Sequence, residues 1–227
     1  MSKQKNLIEA SQNVTFDTGG NVGIGTTPSV KFHVKDTFSA LSFEHSGGNA
    51  VLKIDGGNGD LSGTDYSSIV DTGGTLLFGT NGGTERMRID NSGRVTTPFQ
   101  PAFHAYDGQS VQSGDVIVTY TNLLFNEGGH YNSGNGRFTA PVAGTYMFTC
   151  YIQPHTTTYS TYSSIAFRKN GSVYGTSELV MTWAGGSDHE IVGGTALMKM
   201  SAGDYCDVQA TRGYRGIQGH FCGHLVG

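Results

Sequence analysis

The chain has 227 residues, enough for one large or two small domains, and its 35 glycines and 14% charged residues favour short strands joined by tight turns. The net charge of −4 argues against a nucleic-acid-binding surface, and no apolar stretch is long enough to cross a bilayer. Residues 1–11 lack the hydrophobic core of a signal peptide, so we expect synthesis in a cytoplasm without general secretory export.

The first half of the chain is predicted to contain only short strands. We expect the polar residues 1–16 to be a flexible leader or an attachment peptide. Residues 17–99 are Gly-rich, and their apolar runs lie at 30–34, 50–54, 75–78 and 86–89. Strands this short bury little surface each, so one chain alone would struggle to form a core here. Oligomerisation would let several chains pool these strands.

From residue 100 onward the strand patterns lengthen. Alternation of apolar and polar residues predicts strands at 115–120, 144–152, 165–168, 195–200, 205–210 and 217–226. The Asn-Gly pair at 170–171 and the turn at 201–204 are typical of tight hairpins. Such spacing, with Gly turns and no helical periodicity, indicates a β-sandwich or jelly roll.

An ordered series of aromatic and turn residues resembles the globular head of complement subcomponent q (C1q), which shares a fold with tumour necrosis factor. The series consists of Tyr120, Asn126, Tyr131, Phe138, Gly144, Tyr146 and Phe148. Tyr120 replaces the leading Phe of the family pattern, and Cys150 stands at its last aromatic position. The resemblance continues through Lys-Asn-Gly at 169–171, Gly-Asp at 203–204 and the closing positions 221, 223 and 225.

This resemblance implies an all-β fold in which residues 100–227 form a ten-stranded jelly-roll head that assembles as a homotrimer. The residues that we expect to fill the sandwich core are Tyr120, Phe138, Tyr146, Phe148, Phe221 and Leu225.

Two phrases in the upstream zone resemble bacteriophage tail fibres and related virion appendages. They are GNVGIGTTP at 20–28, followed by FHV at 32–34, and TERMRIDNSG at 84–93. The resemblance implies that residues 17–99 form an intertwined, Gly-rich trimeric β shaft. The alternative is a generic Gly-rich β linker. A phage protein folds in the host cytoplasm and joins a particle, which fits the absence of a signal peptide and predicts a location in the virion.

Motifs for chemistry are weak, and we predict no enzyme, no cofactor and no bound metal. The segment 23–28 (GIGTTP) ends in Pro and precedes no helix, unlike a dinucleotide-binding loop. The residue spacing in the segment 55–60 (DGGNGD) does not match calcium-binding repeats and indicates a turn; a calcium-binding site is the alternative. Adjacent residues in 187–190 (SDHE) point apart, so they do not form a catalytic triad. A glycosidase that uses paired carboxylates is the enzymatic alternative that the sequence does not exclude.

The last strand suggests a role at a trimer axis. His220, Cys222 and His224 alternate with the apolar positions, so we expect them on the outward face of the sandwich. In the C1q family the final strand lies near the threefold axis, and these residues would form either a polar seam between protomers or a metal or anion site. We expect Cys150, Cys206 and Cys222 to be reduced and half-buried; a disulfide or a metal role is the alternative.

Two loops are candidates for receptor binding because they combine aromatic rings with polar groups. The candidate residues are His155, Tyr159, Tyr162, Trp183, Asp188 and His189. The alternative is that the aromatic rings pack inward or between protomers.

The combined prediction is a non-enzymatic trimeric phage fibre protein. Its N-terminal segment would attach to other virion proteins, and its head would bind a glycan or protein on the host surface. The alternative is a head-decoration, neck or tail component that serves assembly or particle stability without a host ligand. An enzyme that trims surface polysaccharide is a third possibility.

Overall fold

The computed structural model describes residues 14–24, 32–34, 48–55, 62–108, 114–154, 162–175, 180–183, 192–211 and 214–227. The chain divides into two compact units, Met1–Arg94 and Val95–Gly227. All elements in the described residues are strands, which confirms the all-β class. No helix in these residues is long and apolar enough to cross a membrane.

The first unit contains two small sheets. Its strands are β1 (Val14–Phe16), β2 (Val22–Ile24), β3 (Phe32–Val34), β4 (Ala50–Asp55), β5 (Tyr66–Thr72), β6 (Thr75–Thr80) and β7 (Thr84–Ile89), and β8 (Val95–Thr96) follows. The first sheet has the order β1-β2-β3, and the second is a five-stranded meander, β4 to β8. β1, which lies at the end of the segment 1–16 predicted as a leader, pairs with β2, and residues 1–13 of that segment lie outside the described residues.

Two similar sequence phrases in this unit, 17–22 and 90–95, form the same loop. The carboxylates of Asp17 and Asp90 each accept hydrogen bonds from the backbone N–H groups two and four positions later, at 2.9 to 3.0 Å. Each also accepts a side-chain hydrogen bond, from Asn21 and Arg94 respectively. These hydrogen bonds, with the backbone N–H of Asn21 or Arg94 contributing most, lower the pKa of both carboxyl groups. The repeat is therefore a local hairpin connection with its own hydrogen-bond network.

The second unit is a sandwich of two antiparallel sheets. Its further strands are β9 (Ala102–Gly108), β10 (Val116–Ile117), β11 (Tyr120–Glu127), β12 (Tyr131–Asn132), β13 (Arg137–Thr139), β14 (Gly144–Pro154), β15 (Tyr162–Lys169), β16 (Ser172–Val173), β17 (Val180–Trp183), β18 (Val192–Met200), β19 (Tyr205–Ala210) and β20 (Tyr214–Leu225). The five-stranded sheet has the order β11-β9-β20-β14-β18. The seven-stranded sheet has the order β12-β13-β19-β15-β16, with β10 on β19 and β17 on β15. The described residues thus contain twelve sandwich strands where ten were predicted, and three of the twelve, β10, β12 and β16, are only two residues long.

A continuous aromatic cluster fills the space between the two sheets. The ring of Phe103 lies 4.9 Å from that of Phe221 in an edge-to-face arrangement and 5.1 Å from that of Phe138 in a stacked one. Tyrosines inside the core also find hydrogen-bond partners, since the hydroxyl of Tyr120 donates to the carbonyl of Tyr151. Among the residues expected in the core, Tyr120, Phe138, Tyr146, Phe148 and Phe221 are fully buried, and Leu225 packs at its margin.

The seven-stranded sheet is tied together by a buried ion triad. The carboxylate of Asp207 on β19 is inaccessible to solvent and accepts hydrogen bonds from Arg168 on β15, at 2.7 and 3.1 Å, and from Arg137 on β13, at 3.2 Å. The guanidinium of Arg137 also lies 4.2 Å from the ring of Tyr205. A buried carboxylate needs such partners, so the triad fixes three neighbouring strands relative to one another.

Gly223 offers a test of the core packing, because a Cβ at this position would lie 2.7 Å from Cε1 of Phe148 and 3.0 Å from Cε1 of Phe103. We expect Gly223→Ala to lower the free energy of unfolding by about 1–3 kcal/mol through overpacking, measured by urea denaturation. The matched control is Gly134→Ala, where the added methyl meets only the flexible side chain of Asn132. Equal unfolding midpoints for the two variants would contradict this packing.

Candidate interface

The five-stranded sheet has a second side that faces away from the core. We call it the outer face, and its members are Ala102, His104, Tyr106, Thr145, Met147, Thr149, Tyr151, Thr195, Leu197, Lys199, His220, Cys222 and His224. These residues alternate along four strands with residues packed into the sandwich, because successive side chains in a strand point to opposite sides. All of the outer-face residues are half-buried or exposed.

Strand register arranges the outer face in rows across the sheet. One row runs from His104 through Cys222 and Thr149 to Thr195, and the hydroxyls of the two threonines lie 2.9 Å apart. The next row runs from Ala102 through His224 and Met147 to Leu197. Leu197 is 61% exposed. The outer face therefore combines neutral polar groups with an exposed apolar row.

His220 lies at the centre of an aromatic group on this face. Its ring centroid is 3.8 Å from that of Tyr151 and 5.0 Å from that of His104. Partial burial disfavours the imidazolium and lowers the pKa of His220 below 6.5, and the charge of His104 lowers it further. The His220 imidazole is therefore mainly uncharged at neutral pH, which suits it to a packed interface.

A depression of about 370 Å³ opens on the outer face. Its lining residues are Ala102, Phe103, His104, Phe125, Met147, Thr149, Cys222, Gly223 and His224. Apolar atoms dominate this lining, so the depression can accept an apolar side chain.

The predicted trimer-axis residues share this face. The structure places His220, Cys222 and His224 side by side along β20, with Phe221 and Gly223 directed into the core. In the part of the chain that the structure describes, no group of three His, Cys, Asp or Glu side chains could hold a metal ion. A metal or anion shared between copies of the chain stays a prediction.

The three cysteines are free thiols. Cys150 and Cys206 are buried and Cys222 is half-buried, so the expectation of half-buried thiols holds for Cys222 alone. Burial raises the pKa of all three thiols, which keeps them protonated and poorly nucleophilic. Cys150 occupies the core position at which the family pattern carries an aromatic residue.

The receptor-binding candidates are placed only in part. Tyr162 begins β15 and Trp183 ends β17, and the two residues are register partners in this antiparallel pair. β15 is the strand that the Asp207 triad ties to β19. His155, Tyr159, Asp188 and His189 lie outside the described residues. Receptor binding by these residues stays a prediction.

Sequence reasoning missed most of the outer face. It singled out the outward residues of the last strand but not Met147, Thr149 and Tyr151, although alternation along 144–152 carries the same signal. The position of His104 beside Cys222 comes from pairing of β9 with β20, which joins distant parts of the chain.

The family model of the C1q domain matches residues 102–226, which is more than half of the chain, and the chain therefore belongs to the C1q domain family. This confirms the C1q-like, jelly-roll class predicted for the head.

Among similar proteins, human complement C1q and tumor necrosis factor-related protein 9A is 32% identical over 104 residues, covering 45% of this chain and 28% of that protein. Mouse complement C1q tumor necrosis factor-related protein 2 is 30% identical over 88 residues, covering 38% and 27%. The chain thus matches less than a third of the length of these relatives.

Among solved structures, the chain is similar to the globular domain of zebrafish complement 1qA protein, at 18% identity and a TM-score of 0.38, covering 56% of this chain and 98% of that one. Murine APRIL at pH 8.5 has 12% identity and a TM-score of 0.42, with coverage of 56% and 99%. These relatives are vertebrate proteins, so the phage-fibre resemblance of the first unit and the trimeric assembly stay predictions.

The lowered pKa of His220 gives a prediction for stability. Because the pKa of His220 is lower in the folded protein, the folded protein binds fewer protons at this group than the unfolded chain. The free energy of unfolding therefore includes the full contribution of His220 above pH 6.5, and this contribution is lost as the pH falls through the pKa of the folded protein. We expect His104→Gln to raise the pKa of His220 toward 6.5 and to weaken this loss, as followed by NMR titration and by urea unfolding at neutral and acidic pH. His130→Gln is the control, and a His220 midpoint above 6.5 in the unmodified chain would contradict the placement of its ring.

Proposed function

We propose that the chain is a non-enzymatic, trimeric virion protein of the bacteriophage-fibre type, whose C1q head binds the host cell surface. The observation that carries this proposal is the outer face of the five-stranded sheet, whose apolar row and neutral polar groups are suited to burial against other copies of the head. Membership of the C1q domain family supports it for the head. The two fibre-like phrases at 20–34 and 84–93 support it for the first unit.

The proposed trimerisation rests on the apolar surface that the outer face would otherwise expose to water. Met147 and Leu197 lie side by side in one row, and an apolar depression opens next to them. The neighbouring edge strand β11 adds exposed Phe125, which is the register partner of His104 and lines the depression. Apolar surface of this extent on a protein typically marks an interface. The outer face as defined carries no Asp, Glu or Arg, and Lys199 is its one lysine, which fits the depletion of charged residues at interface centres.

Host binding would use the opposite part of the head. Tyr162 and Trp183 lie on β15 and β17, which belong to the other sheet and are therefore not part of the outer face. Their side-chain types suit stacking on sugars or contact with a protein epitope. In a trimer, three weak sites acting together would strengthen binding by about 10² to 10⁴.

The first unit would serve as the shaft between particle and head. Its Gly-rich strands would form a trimeric β structure over residues 17–99, and residues 1–16 would attach it to other virion proteins.

The trimer interface can be tested with Met147→Asp. A carboxylate in the apolar row would be desolvated at the interface, so we expect the variant to lose the trimeric mass and appear as a monomer by size-exclusion chromatography with light scattering. Val173→Asp is the matched control, because Val173 is an exposed apolar residue on the seven-stranded sheet. An unchanged mass for Met147→Asp would contradict an interface on the outer face.

Adsorption can be tested with fluorescently labelled protein on a panel of bacteria. We expect the unmodified chain to bind a subset of strains, and Met147→Asp to bind them at least about 10²-fold more weakly because it loses multivalency. Absence of binding, with the protein located on the capsid or neck of particles, would instead support a structural component. Release of reducing sugar from host glycan would contradict a non-enzymatic role.

A further inference from the structure

The upstream meander has one strongly apolar side, which is a separate feature from the outer face of the head. Register across β4, β5, β6 and β7 places the members of this side on one surface. We call it the meander face, and its apolar members are Ala50, Leu52, Ile54, Ile69, Leu76, Phe78, Met87 and Ile89. Its central row joins Leu52, Ile69, Phe78 and Met87 across all four strands.

The opposite side of the same sheet carries an apolar row of Val51, Val70 and Leu77 and more charged residues than the meander face. There the ammonium of Lys53 lies 4.3 Å from the ring of Tyr66, and Arg88 forms an ion pair with Glu85 at 2.6 Å. The meander face carries Asp71 in the row next to the β5–β6 turn, and at the bulge in β7 the guanidinium of Arg86 donates a hydrogen bond to the hydroxyl of Thr80. The two sides of this sheet therefore differ mainly in how many charged residues they carry.

The described strands of the first unit supply no second layer over the meander face. Every apolar side chain that is fully buried in the described residues belongs to the second unit. On the meander face, Leu52 is 39% exposed and Ile54 is 57% exposed. A sheet of this kind needs a cover, since isolated strands bury too little surface for stability.

The size of the meander face indicates what covers it. Four strands about 4.8 Å apart and six residues long at about 3.3 Å per residue span roughly 400 Å². A stable interface between separate proteins buries about 800 Å² on each partner, so this face alone is too small to hold a free partner. Other copies of the same chain avoid this limit, because a trimeric head would present them at an effective concentration of about 1 mM. The central row of four apolar residues, which contains no charged side chain, also matches an identical apolar surface.

We propose that the meander face is a second self-association surface, covered in the assembled protein by the meander faces of the other copies. This inference rests on the proposed trimeric head, which supplies the tether, and it specifies which residues form the interior of the shaft.

Cysteine substitutions in the full chain test this inference directly. Ile69 and Val70 are adjacent on β5 and lie on opposite sides of the sheet. Under mild oxidation we expect Ile69→Cys to form disulfide-linked dimers on a non-reducing gel, because copies of this position face one another. Val70→Cys is the matched control and should remain at the level of the unmodified chain, in which Cys150 and Cys206 are buried and the half-buried Cys222 sets the background of cross-linking.

A second pair of variants tests the surface without cross-linking. Leu76 and Leu77 are the same residue type on opposite sides of β6. We expect Leu76→Asp to make the first unit on the order of tenfold more sensitive to proteolysis than Leu77→Asp, because only Leu76 loses its cover.

The outcomes separate the two proposals. If the unmodified chain is a trimer but Ile69→Cys and Val70→Cys cross-link equally or not at all, the meander inference is overturned and the head interface stands. If Ile69→Cys cross-links selectively while Met147→Asp leaves the mass unchanged, the head interface is overturned and the meander inference stands. Equal proteolysis of Leu76→Asp and Leu77→Asp would also overturn the meander inference.

Discussion

The two-sidedness of an antiparallel sheet is the constraint on which the rest of this structure depends. In the head, the inner sides of two sheets bury the ring cluster around Phe103 and Phe221, and that burial is complete within one chain. The outer side of the five-stranded sheet still carries Met147 and exposed Leu197. In the upstream meander the apolar side has no cover among the described strands. Both surfaces thus need partners that the described strands of one chain do not supply, and we propose that copies of the same chain supply them.

Local sequence patterns correctly predicted the parts of the fold that depend on strand alternation and on turn residues. The aromatic series from Tyr120 to Phe148 identified the core because its alternation matches the pleat of a strand. The Asn-Gly hairpin was also readable, since Asn170 adopts a positive φ of 51° that few other residues tolerate. By contrast, Tyr66–Thr72 was missed, because serines and an aspartate interrupt its apolar pattern. Its place is set by pairing with β4 and β6 on both sides.

For the candidate site too, the sequence predicted which side of a strand a residue occupies but not which distant residues it contacts. Alternation alone put His220, Cys222 and His224 on a common side of the last strand. The contacts that determine their chemistry come from β9 and β14, which bring the rings of His104 and Tyr151 next to His220. Partial burial and, after it, the charge of His104 lower the pKa of His220, while burial raises the pKa of Cys222. A mainly uncharged His220 imidazole and protonated thiols favour packing over acid–base or nucleophilic chemistry. That electrostatic character, together with membership of the C1q domain family, makes an interface the function that this face supports best.

Sedimentation equilibrium of the full chain at nanomolar concentration tests most directly whether other copies of the chain cover these surfaces. A mass three times the 24.1 kDa of one chain is the predicted result. A well-folded monomer at that concentration would contradict the proposal, because the outer face and the meander face would then both remain in contact with water.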